Sequence, residues 1–339
     1  MKVWSRRVAA VGAVALTTML AACGSSSSSA SSSSSASGST APSASASAAP
    51  APVLDQDFPD PDLLRVGDTW YAYATQRTGP FGNLQVASSK DLSKQGSWNL
   101  LSADPLPKLP AWATAGRTWA PDVSATKGGY VMYFAAHSVD PDLQCIGVAT
   151  GTAPTGPFTP VGDKPLVCPA DLGGAIDPAS FVDADGTRYL LWKNDGNCCG
   201  KDTWLWLQRT TPDGLRLVGS PTKLIKQDQA WEGNLVEAPD LVRHGSTYTL
   251  LYSANDYSGE KYATGYATAP KITGPYTKAA QPLLTTAATD VTGPGGEDVV
   301  AGEDGRSWIV FHGWDDAKSR RALYVLPLTW QGDRPTVWP

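Results

Sequence analysis

Three acidic residues stand at the openings of three similar stretches of the chain and could together cleave a glycosidic bond. They are Asp60, Asp177 and Glu237. Such hydrolysis needs a carboxylic acid that protonates the leaving oxygen and a carboxylate on the other side of the bond. Glu237 suits the acid, because its apolar neighbours Val236 and Ala238 and a second carboxyl, Asp177, would raise its pKa. Asp60 could activate water if the fold brings it opposite Glu237.

Each acid also has a structural interpretation. Asp-Pro is a common turn dipeptide, so Asp60 or Asp177 alone is more often structural than catalytic, and for Glu237 alone both interpretations are open. The joint pattern favours a site, because acids clustered at one location without a function would cost stability. We therefore predict that the three carboxyls share one cavity.

The acids belong to a hairpin sequence that occurs five times. Each copy has an apolar run, a turn and a second apolar run, which is typical of a β-hairpin. The copies align, 57 to 61 residues apart, on Pro61, Pro121, Pro178, Pro239 and, in the last copy, Glu297. This period indicates one four-stranded sheet per repeat. Five such sheets bury their faces by radial stacking, so we predict an all-β, five-bladed β-propeller with the repeat openings at one mouth of its channel.

The chain begins with a targeting segment. Residues 1–22 combine a basic start (MKVWSRR) with an apolar run too short for a permanent spanning helix. The LAAC sequence ending at Cys23 resembles a bacterial lipoprotein cleavage site, which implies a lipid on Cys23; the alternative is an ordinary signal peptide. Residues 23–52 continue as a Ser/Ala-rich stretch typical of a disordered tether. Residues 53–339 form the predicted folded domain, exported and either lipid-anchored at the cell surface or secreted.

Composition narrows the classes of function. The net charge of −5 is no signature of nucleic-acid binding. No later segment looks transmembrane, so membrane contact is expected only through the N-terminal lipid. The 13 Trp and 12 Tyr supply aromatic faces for a core and for sugar rings. We expect an oligo- or polysaccharide partner and a monomeric chain.

Four cysteines follow Cys23, and they allow three disulfide connectivities. An exported compartment permits disulfides. We favour Cys145–Cys168, because Cys145 begins a predicted strand and Cys168 follows a short return. Cys198 and Cys199 would then form an uncommon vicinal pair or stay reduced. The three histidines are scattered, and no spacing resembles a zinc site.

Four motifs carry a resemblance to a known family: FPDPD at 58–62, WAPD at 119–122, AIDPASFVDADGTRYLLWK at 175–193 and VEAPDL at 236–241. They make the chain from about residue 54 to 338 similar to the glycoside hydrolase family 43 enzymes. The resemblance implies a five-bladed propeller active on arabinan, arabinoxylan or xylo-oligosaccharides. It implies Asp60 as general base, Asp177 as pKa modulator and Glu237 as general acid. Inversion at the anomeric carbon, with carboxyls about 6.5–9.5 Å apart, would follow.

One motif departs from the family pattern. Where many members have Gly-Pro-Gly-His, this chain has GPGG at 293–296. A second histidine of that repeat is present as His312, and the resemblance implies that it could face the channel and hold a hydrated calcium ion. His312 is therefore a candidate metal or channel ligand, with a hydrogen-bonded core histidine as the alternative. One imidazole would be a weak calcium site, because hard cations prefer oxygen ligands.

Aromatic and basic residues near the motifs are candidate sugar contacts. For Trp119, at the opening of the second repeat, we favour substrate contact over packing. For Trp231 and Phe58, substrate contact and core packing are open alternatives. Arg117 and Lys193 could bond sugar hydroxyls or the acids, although charged residues near loops are usually solvated.

The motifs favour an arabinan- or arabinofuranoside-active enzyme at least as much as a β-xylosidase. No β-sandwich domain follows the propeller, unlike in many β-xylosidases of the family. A related fructan-cleaving propeller is disfavoured, because Ile176 and Ala238 stand where that family would have Arg and Cys beside its acids. A non-catalytic, lectin-like propeller is the second alternative, and the presence of all three acids argues against it.

Overall fold

The computed structural model describes residues 49–77, 82–302 and 304–337, and these form the predicted five-bladed β-propeller. The predicted leader, the lipid on Cys23 and the tether up to residue 48 lie outside the described residues. Each blade is a four-stranded antiparallel sheet whose strands follow one another in chain order.

In each blade, successive strands run up and down beside one another. Their bounds are as follows. The first sheet has β1 (Asp62–Val66), β2 (Thr69–Thr75), β3 (Leu84–Ser89) and β4 (Asn99–Leu100). The second has β5 (Ala113–Thr126), β6 (Gly129–Ser138), β7 (Leu143–Gly151) and β8 (Thr159–Pro160). The third has β9 (Ala175–Val182), β10 (Arg188–Asn194), β11 (Trp204–Thr210) and β12 (Leu217–Lys226). The fourth has β13 (Val236–His244), β14 (Thr247–Ala254), β15 (Ala263–Ala269) and β16 (Thr277–Lys278). The fifth has β17 (Thr292–Ala301), β18 (Ser307–Trp314), β19 (Arg321–Gln331) and β20 (Arg334–Val337). Helical structure in the described residues is limited to α1 (Thr286–Thr289) and the 3₁₀ turns Ala170–Leu172, Gly196–Cys199 and Ala230–Glu232.

Hydrophobic cores lie between neighbouring blades. Between the first two blades, for example, Tyr73 packs in one cluster with Met132. Between the fifth and first blades, Val310 and Val325 share a cluster with Trp70. Each sheet therefore buries its faces against the neighbouring blades. An isolated four-stranded sheet could not bury them.

The segment before β1 closes the ring. Leu54 forms a bridge with Leu323 of β19, and the Phe58 N–H donates to the Arg321 carbonyl at 2.8 Å. Equivalent bridges join the third strands of the second and fourth blades to the segments that follow them: Ile146 with Val167, and Thr264 with Leu284. The first residues of the domain thus pair with the third strand of the fifth blade. In the second and fourth blades, the segment that follows the blade pairs with its third strand in the same way.

Each repeat opening has a residue with a positive φ at an equivalent position, just before or within the innermost strand. These residues are Asp60 (55°), Ala120 (41°), Asp177 (51°), Ala238 (47°) and Gly296 (59°). Each stands directly before the aligned proline or, in the fifth repeat, before Glu297. The strand register of the second to fifth blades shifts at this point. The repeated feature is a β-bulge, which bends a strand and redirects its side chains.

Buried aspartates tie the inner strands of neighbouring blades together. Each of four accepts a backbone N–H bond from the next blade: Asp62 from Val123 (2.8 Å), Asp122 from Ser180 (2.7 Å), Asp240 from Val299 (3.0 Å) and Asp298 from Leu63 (2.8 Å). The third blade has Ala179 at this position and supplies no carboxylate. Burial raises the pKa of Asp122 to about 6 and that of Asp298 to about 7.

Two disulfides link the four cysteines of the described region. Cys145 in β7 pairs with Cys168, which is the connectivity favoured from the sequence. Cys198 pairs with Cys199, so these two residues form the vicinal disulfide rather than two thiols. Within the described ranges, no helix has the length and apolar character needed to cross a membrane.

Candidate active site

The three predicted acids line one cavity at the centre of the propeller. Asp60, Asp177 and Glu237 border a space of about 930 Å³ together with Trp119. They come from the openings of the first, third and fourth repeats. They do not share one position, because Asp60 and Asp177 are positive-φ residues whereas Glu237 precedes the positive-φ residue Ala238. Trp119 has the position of Glu237 in the second repeat. The bulge therefore presents side chains from two successive positions to the cavity.

Two buried residues hold the Glu237 carboxyl. Lys193 Nζ donates to Oε2 at 2.9 Å, and the Tyr262 hydroxyl donates to Oε1 at 2.9 Å. The Lys193 side chain is 1% exposed and that of Glu237 is 13% exposed. Gly295 makes room for this arrangement, because a Cβ at that position would lie 2.2 Å from Tyr262 Cε1. The Glu237 carboxyl is thus fixed at both oxygens in a largely dry part of the cavity.

The Lys193 ammonium is the positive charge that faces the carboxyls of Glu237, Asp177 and Asp195. Its Nζ also lies 3.5 Å from Asp195 Oδ1. Burial by itself lowers the pKa of Lys193, but the charges of Glu237, Asp177 and Asp195 outweigh burial and raise it. Burial also raises the pKa of Asp195, against the opposing effect of the Lys193 charge. A permanently charged ammonium therefore balances negative charge on this side of the cavity.

The Asp177 carboxyl links the third and fourth blades beside Glu237. Its Oδ2 accepts the Ala238 N–H at 2.9 Å. Burial, followed by the negative charge of Glu237, raises the pKa of Asp177 to about 8. The positive charge of Lys193 limits this rise. Asp177 therefore stands beside Glu237, where the sequence predicted a pKa modulator.

Asp60 has a separate set of partners. Thr75 donates from its hydroxyl to Oδ2 at 2.6 Å, and Arg321 Nη1 lies 3.4 Å from Oδ1. The Asp60 N–H donates to His312 Nδ1 at 3.0 Å. The Thr75 hydroxyl also accepts the Ala120 N–H at 2.8 Å, so the second blade contributes to its orientation. A carboxylate that is 25% exposed and held in one orientation can accept a proton from a bound water.

His312 is completely buried and stacks on Tyr262 with ring centroids 5.9 Å apart. Burial lowers the pKa of His312 well below its usual value, so the imidazole is neutral. Because Nδ1 accepts the Asp60 N–H, the hydrogen bond assigns the ring proton to Nε2, which has no partner among the described residues. A protonated nitrogen cannot ligate a metal. Nor does the described part of the chain contain a group of three or more His, Cys, Asp or Glu suited to one. These donors do not fit a calcium ion ligated directly by His312.

Two of the three predicted aromatic contacts lie in cores instead of the cavity. Phe58 is fully buried between the fifth and first blades, because its backbone belongs to the segment that closes the ring. Trp231 stacks on Tyr252 with centroids 5.8 Å apart and donates from its indole N–H to Gln229. Of the two alternatives left open for Phe58 and Trp231, the structure therefore favours core packing over substrate contact. Arg117 is exposed, near His137, and is not among the residues that line the cavity.

Several residues of the cavity were not anticipated from the sequence. Arg321 lies over the rings of Tyr257 and Trp314, at 5.1 and 5.7 Å from their centroids, and Tyr257 is 49% exposed at the cavity wall. Arg321, Thr75 and Tyr262 lie outside the repeated opening motif. Thr75 ends the second strand of its blade, and Tyr262 and Arg321 stand at the start of the third strand of theirs. These strand ends lie beside the opening residues of the repeats. That shared register is the signal that could have found them.

Carboxyls that line one cavity and have distinct partners can supply the acid and the base that glycosidic hydrolysis needs. The family model described as "Glycosyl hydrolases family 43" matches residues 49–335. The chain therefore belongs to this family and is a glycosidase.

Individual relatives agree with this membership. The chain is 26% identical over 319 residues to an extracellular exo-α-(1→5)-L-arabinofuranosidase of Cellvibrio japonicus, with 84% of this chain and 86% of the relative covered. It is 26% identical over 297 residues to the extracellular endo-α-(1→5)-L-arabinanase 1 of Bacillus subtilis, with 82% and 86% covered. Among solved structures, a thermostable family-43 glycoside hydrolase matches with a TM-score of 0.76 and 27% identity, covering 86% of this chain and 96% of that one.

Proposed function

We propose that the protein hydrolyses α-L-arabinofuranosyl linkages of arabinan or arabinoxylan, with β-D-xylosyl linkages as the second candidate substrate. The observation that carries the proposal is the single cavity bordered by Asp60, Asp177 and Glu237, each with its own set of partners. The two relatives that match most of the chain are named for exo- and endo-acting cleavage of α-(1→5)-arabinan, which supports the arabinofuranosyl substrate.

In the proposed mechanism, Glu237 protonates the glycosidic oxygen while Asp60 removes a proton from the attacking water. A single displacement of this kind inverts the anomeric carbon. Burial raises the pKa of Asp177 to about 8, and we propose that Asp177 acts as the pKa modulator beside Glu237. Lys193 then stabilises the negative charge that Glu237 acquires when it releases its proton.

The test is a hydrolysis panel with the full-length protein on 4-nitrophenyl α-L-arabinofuranoside, 4-nitrophenyl β-D-xyloside and linear arabinan. We expect Glu237→Gln to lower kcat on the polysaccharide by about 10²–10⁴-fold. The loss on the aryl glycoside should be smaller, because nitrophenolate leaves with little protonation. Asp60→Asn should lower turnover of both substrates to a similar extent, because water activation is needed for each.

The exposed Glu260 lies outside the cavity, so Glu260→Gln is the matched control and should keep wild-type kinetics. Equal losses for Glu237→Gln on both substrates would contradict its role as acid. NMR at early times identifies which anomer of the product is released first. Release of the anomer opposite to that of the substrate shows inversion. A wild-type protein that binds these sugars without cleaving them would instead be the lectin-like alternative, and its binding would survive Glu237→Gln.

We also propose that the domain is exported, held to the membrane through a lipid on Cys23, and monomeric. The support is the LAAC sequence before the Ser/Ala-rich stretch and the extracellular designation of both relatives. Metabolic labelling with a fatty acid should mark the wild type and spare Cys23→Ser. Light scattering of the purified protein reports its mass.

Calcium in the channel stays a proposal from the family resemblance, without direct ligation by His312 and without a step in the mechanism. Elemental analysis of protein purified in calcium-containing buffer tests it. About one bound calcium per chain supports the proposal, and calcium-free, fully active protein refutes it.

A further inference from the structure

The vicinal disulfide lies on the wall of the catalytic cavity. Cys198 borders the cavity that holds the three acids, beside Asn197, and both cysteines are exposed. Their 3₁₀ turn, Gly196–Cys199, follows directly after β10, the strand that carries Lys193. Neither the repeat pattern nor the proposed acid–base chemistry accounts for an exposed disulfide at this place.

The turn is built rigidly onto the side of the cavity where Glu237 lies. The Cys198 N–H donates to the Asp195 carbonyl at 3.3 Å, and Asp195 in turn lies 3.5 Å from Lys193, the ion-pair partner of Glu237. Asn194 clamps the base of the loop, because its side-chain amide donates to the carbonyls of Leu172 and Asp202 at 3.1 and 3.0 Å. The turn that carries the disulfide is therefore tied to Asp195, which shares Lys193 with Glu237, and Cys198 and Glu237 line the same cavity.

The chemistry of this wall suits the face of a sugar ring. A disulfide has two polarizable sulfur atoms and carries no strong hydrogen-bond donor, so Cys198, the half of the pair that borders the cavity, presents an apolar surface there. The adjacent Asn197 supplies an amide that can bond hydroxyl groups. An apolar wall with one or two convergent polar groups is the usual composition of a ligand subsite.

The position of the wall indicates which sugar it contacts. The general acid must reach the oxygen of the leaving group, so the leaving sugar lies on the side of the cavity where Glu237 stands. We propose that the Cys198–Cys199 disulfide is a platform for the leaving-group sugar and contributes to specificity for oligosaccharides. This assignment rests on the proposed function, because it takes Glu237 as the acid.

The test compares two substrates that share the transferred sugar and differ in the leaving group. α-1,5-Arabinobiose has a leaving sugar, whereas α-L-arabinofuranosyl fluoride has none; xylobiose and the matching xylosyl fluoride replace them if the panel shows xylosyl specificity. In the full-length protein, Cys198→Ser/Cys199→Ser should lower kcat/KM on the disaccharide by about five- to tenfold, mainly through KM. That loss corresponds to about 1–1.4 kcal/mol. The fluoride should be hydrolysed within about twofold of the wild-type rate.

Two further variants separate the platform from general effects of losing a disulfide. Cys198→Val/Cys199→Ala keeps an apolar wall and should recover much of the activity on the disaccharide. Cys145→Ala/Cys168→Ala removes the other disulfide and should lower thermal stability without changing the ratio between the substrates. An unchanged ratio in the serine variant, or an equal loss on both substrates, would overturn the platform and indicate that the turn only supports Lys193. A wild type that cleaves neither substrate would refute the proposed function, and the leaving-group assignment with it.

Discussion

Replacing Lys193 by methionine tests whether its buried ammonium sets the pH range of catalysis. Lys193 is 1% exposed and lies 2.9 Å from Glu237 Oε2 and 3.5 Å from Asp195 Oδ1. Burial and the charge of Glu237 raise the pKa of Asp177 to about 8, and the charge of Lys193 keeps it from rising further. Methionine is similar in length and carries no charge, so the substitution changes mainly the electrostatics of the cavity.

The size of the effect follows from the charge that is removed. Two unit charges 4 Å apart interact by about 4 kcal/mol at an effective dielectric constant of about 20, equivalent to about three pKa units. Lys193 is shared among three carboxyls, so we expect the basic limb of the pH profile to move by about 1–2 units. The direction is upward, because the cavity holds its proton to a higher pH without the ammonium. The plateau of kcat/KM should fall by about tenfold or more, because Glu237 loses one of its two anchors.

The assay is kcat/KM on the best substrate of the panel between about pH 4 and pH 10. Lys193→Arg keeps the positive charge and is the matched control, so its basic limb should stay close to that of the wild type. Thermal unfolding of each variant shows whether the propeller is intact. A folded Lys193→Met enzyme whose basic limb is unmoved, or displaced to lower pH, would refute this account of the cavity.

Two further predictions concern the fold around the site. Phe58→Ala should lower the free energy of unfolding by about 3–5 kcal/mol, because it leaves a cavity in a closed core. KM measured on the folded fraction should change less than about twofold. A larger rise in KM would support substrate contact by Phe58. The second concerns pH. Burial raises the pKa of Asp298 to about 7 and that of Glu297 to about 8, whereas unfolded carboxyls release their protons near pH 4. In the folded state these two carboxyls therefore bind more protons between these limits, so their contribution to stability is largest at low pH and is lost as the pH rises toward 8. The melting temperature should fall by about 5 °C or more between pH 5 and pH 8.5, and less in Asp298→Asn, which still accepts the Leu63 N–H; a flat or rising profile would contradict the raised pKa values.

The architecture could be read from the sequence because its strongest determinant is local and repeated. Pro61 and its three counterparts mark the same backbone event in successive blades, so the period appears without any knowledge of contacts. The hairpin turns lie where Gly and polar residues interrupt apolar runs. The closing segment was less accessible, because the bridge between Leu54 and Leu323 joins the two ends of the domain and leaves no periodic trace.

The partners of the acids could not be read in the same way. Tyr262 reaches Glu237 from the far end of its own blade's second hairpin, and Arg321 of the fifth blade reaches Asp60 of the first, because these hairpin ends meet at the centre. Sequence spacing does not report that convergence. Phe58 shows the converse, since its closeness to Asp60 in the chain suggested a sugar contact. Its ring packs into the core because the segment before β1 is held against the fifth blade, where the Phe58 N–H donates to the Arg321 carbonyl.

The positive-φ residue explains why acids at two different positions reach one cavity. A non-glycine residue in this conformation costs of order 1–2 kcal/mol, and four blades bear that cost at Asp60, Ala120, Asp177 and Ala238. Two of the four are alanines, so the strained conformation cannot be explained by the catalytic side chains. It belongs to the blade itself, and the adjoining aspartate-to-backbone bonds between blades help to offset it. The positive-φ residue exists in every repeat, and the proposed function requires only that acids occupy this residue in two blades and the residue before it in a third. By this reasoning the second blade presents Trp119 to the cavity at the position where the fourth presents Glu237.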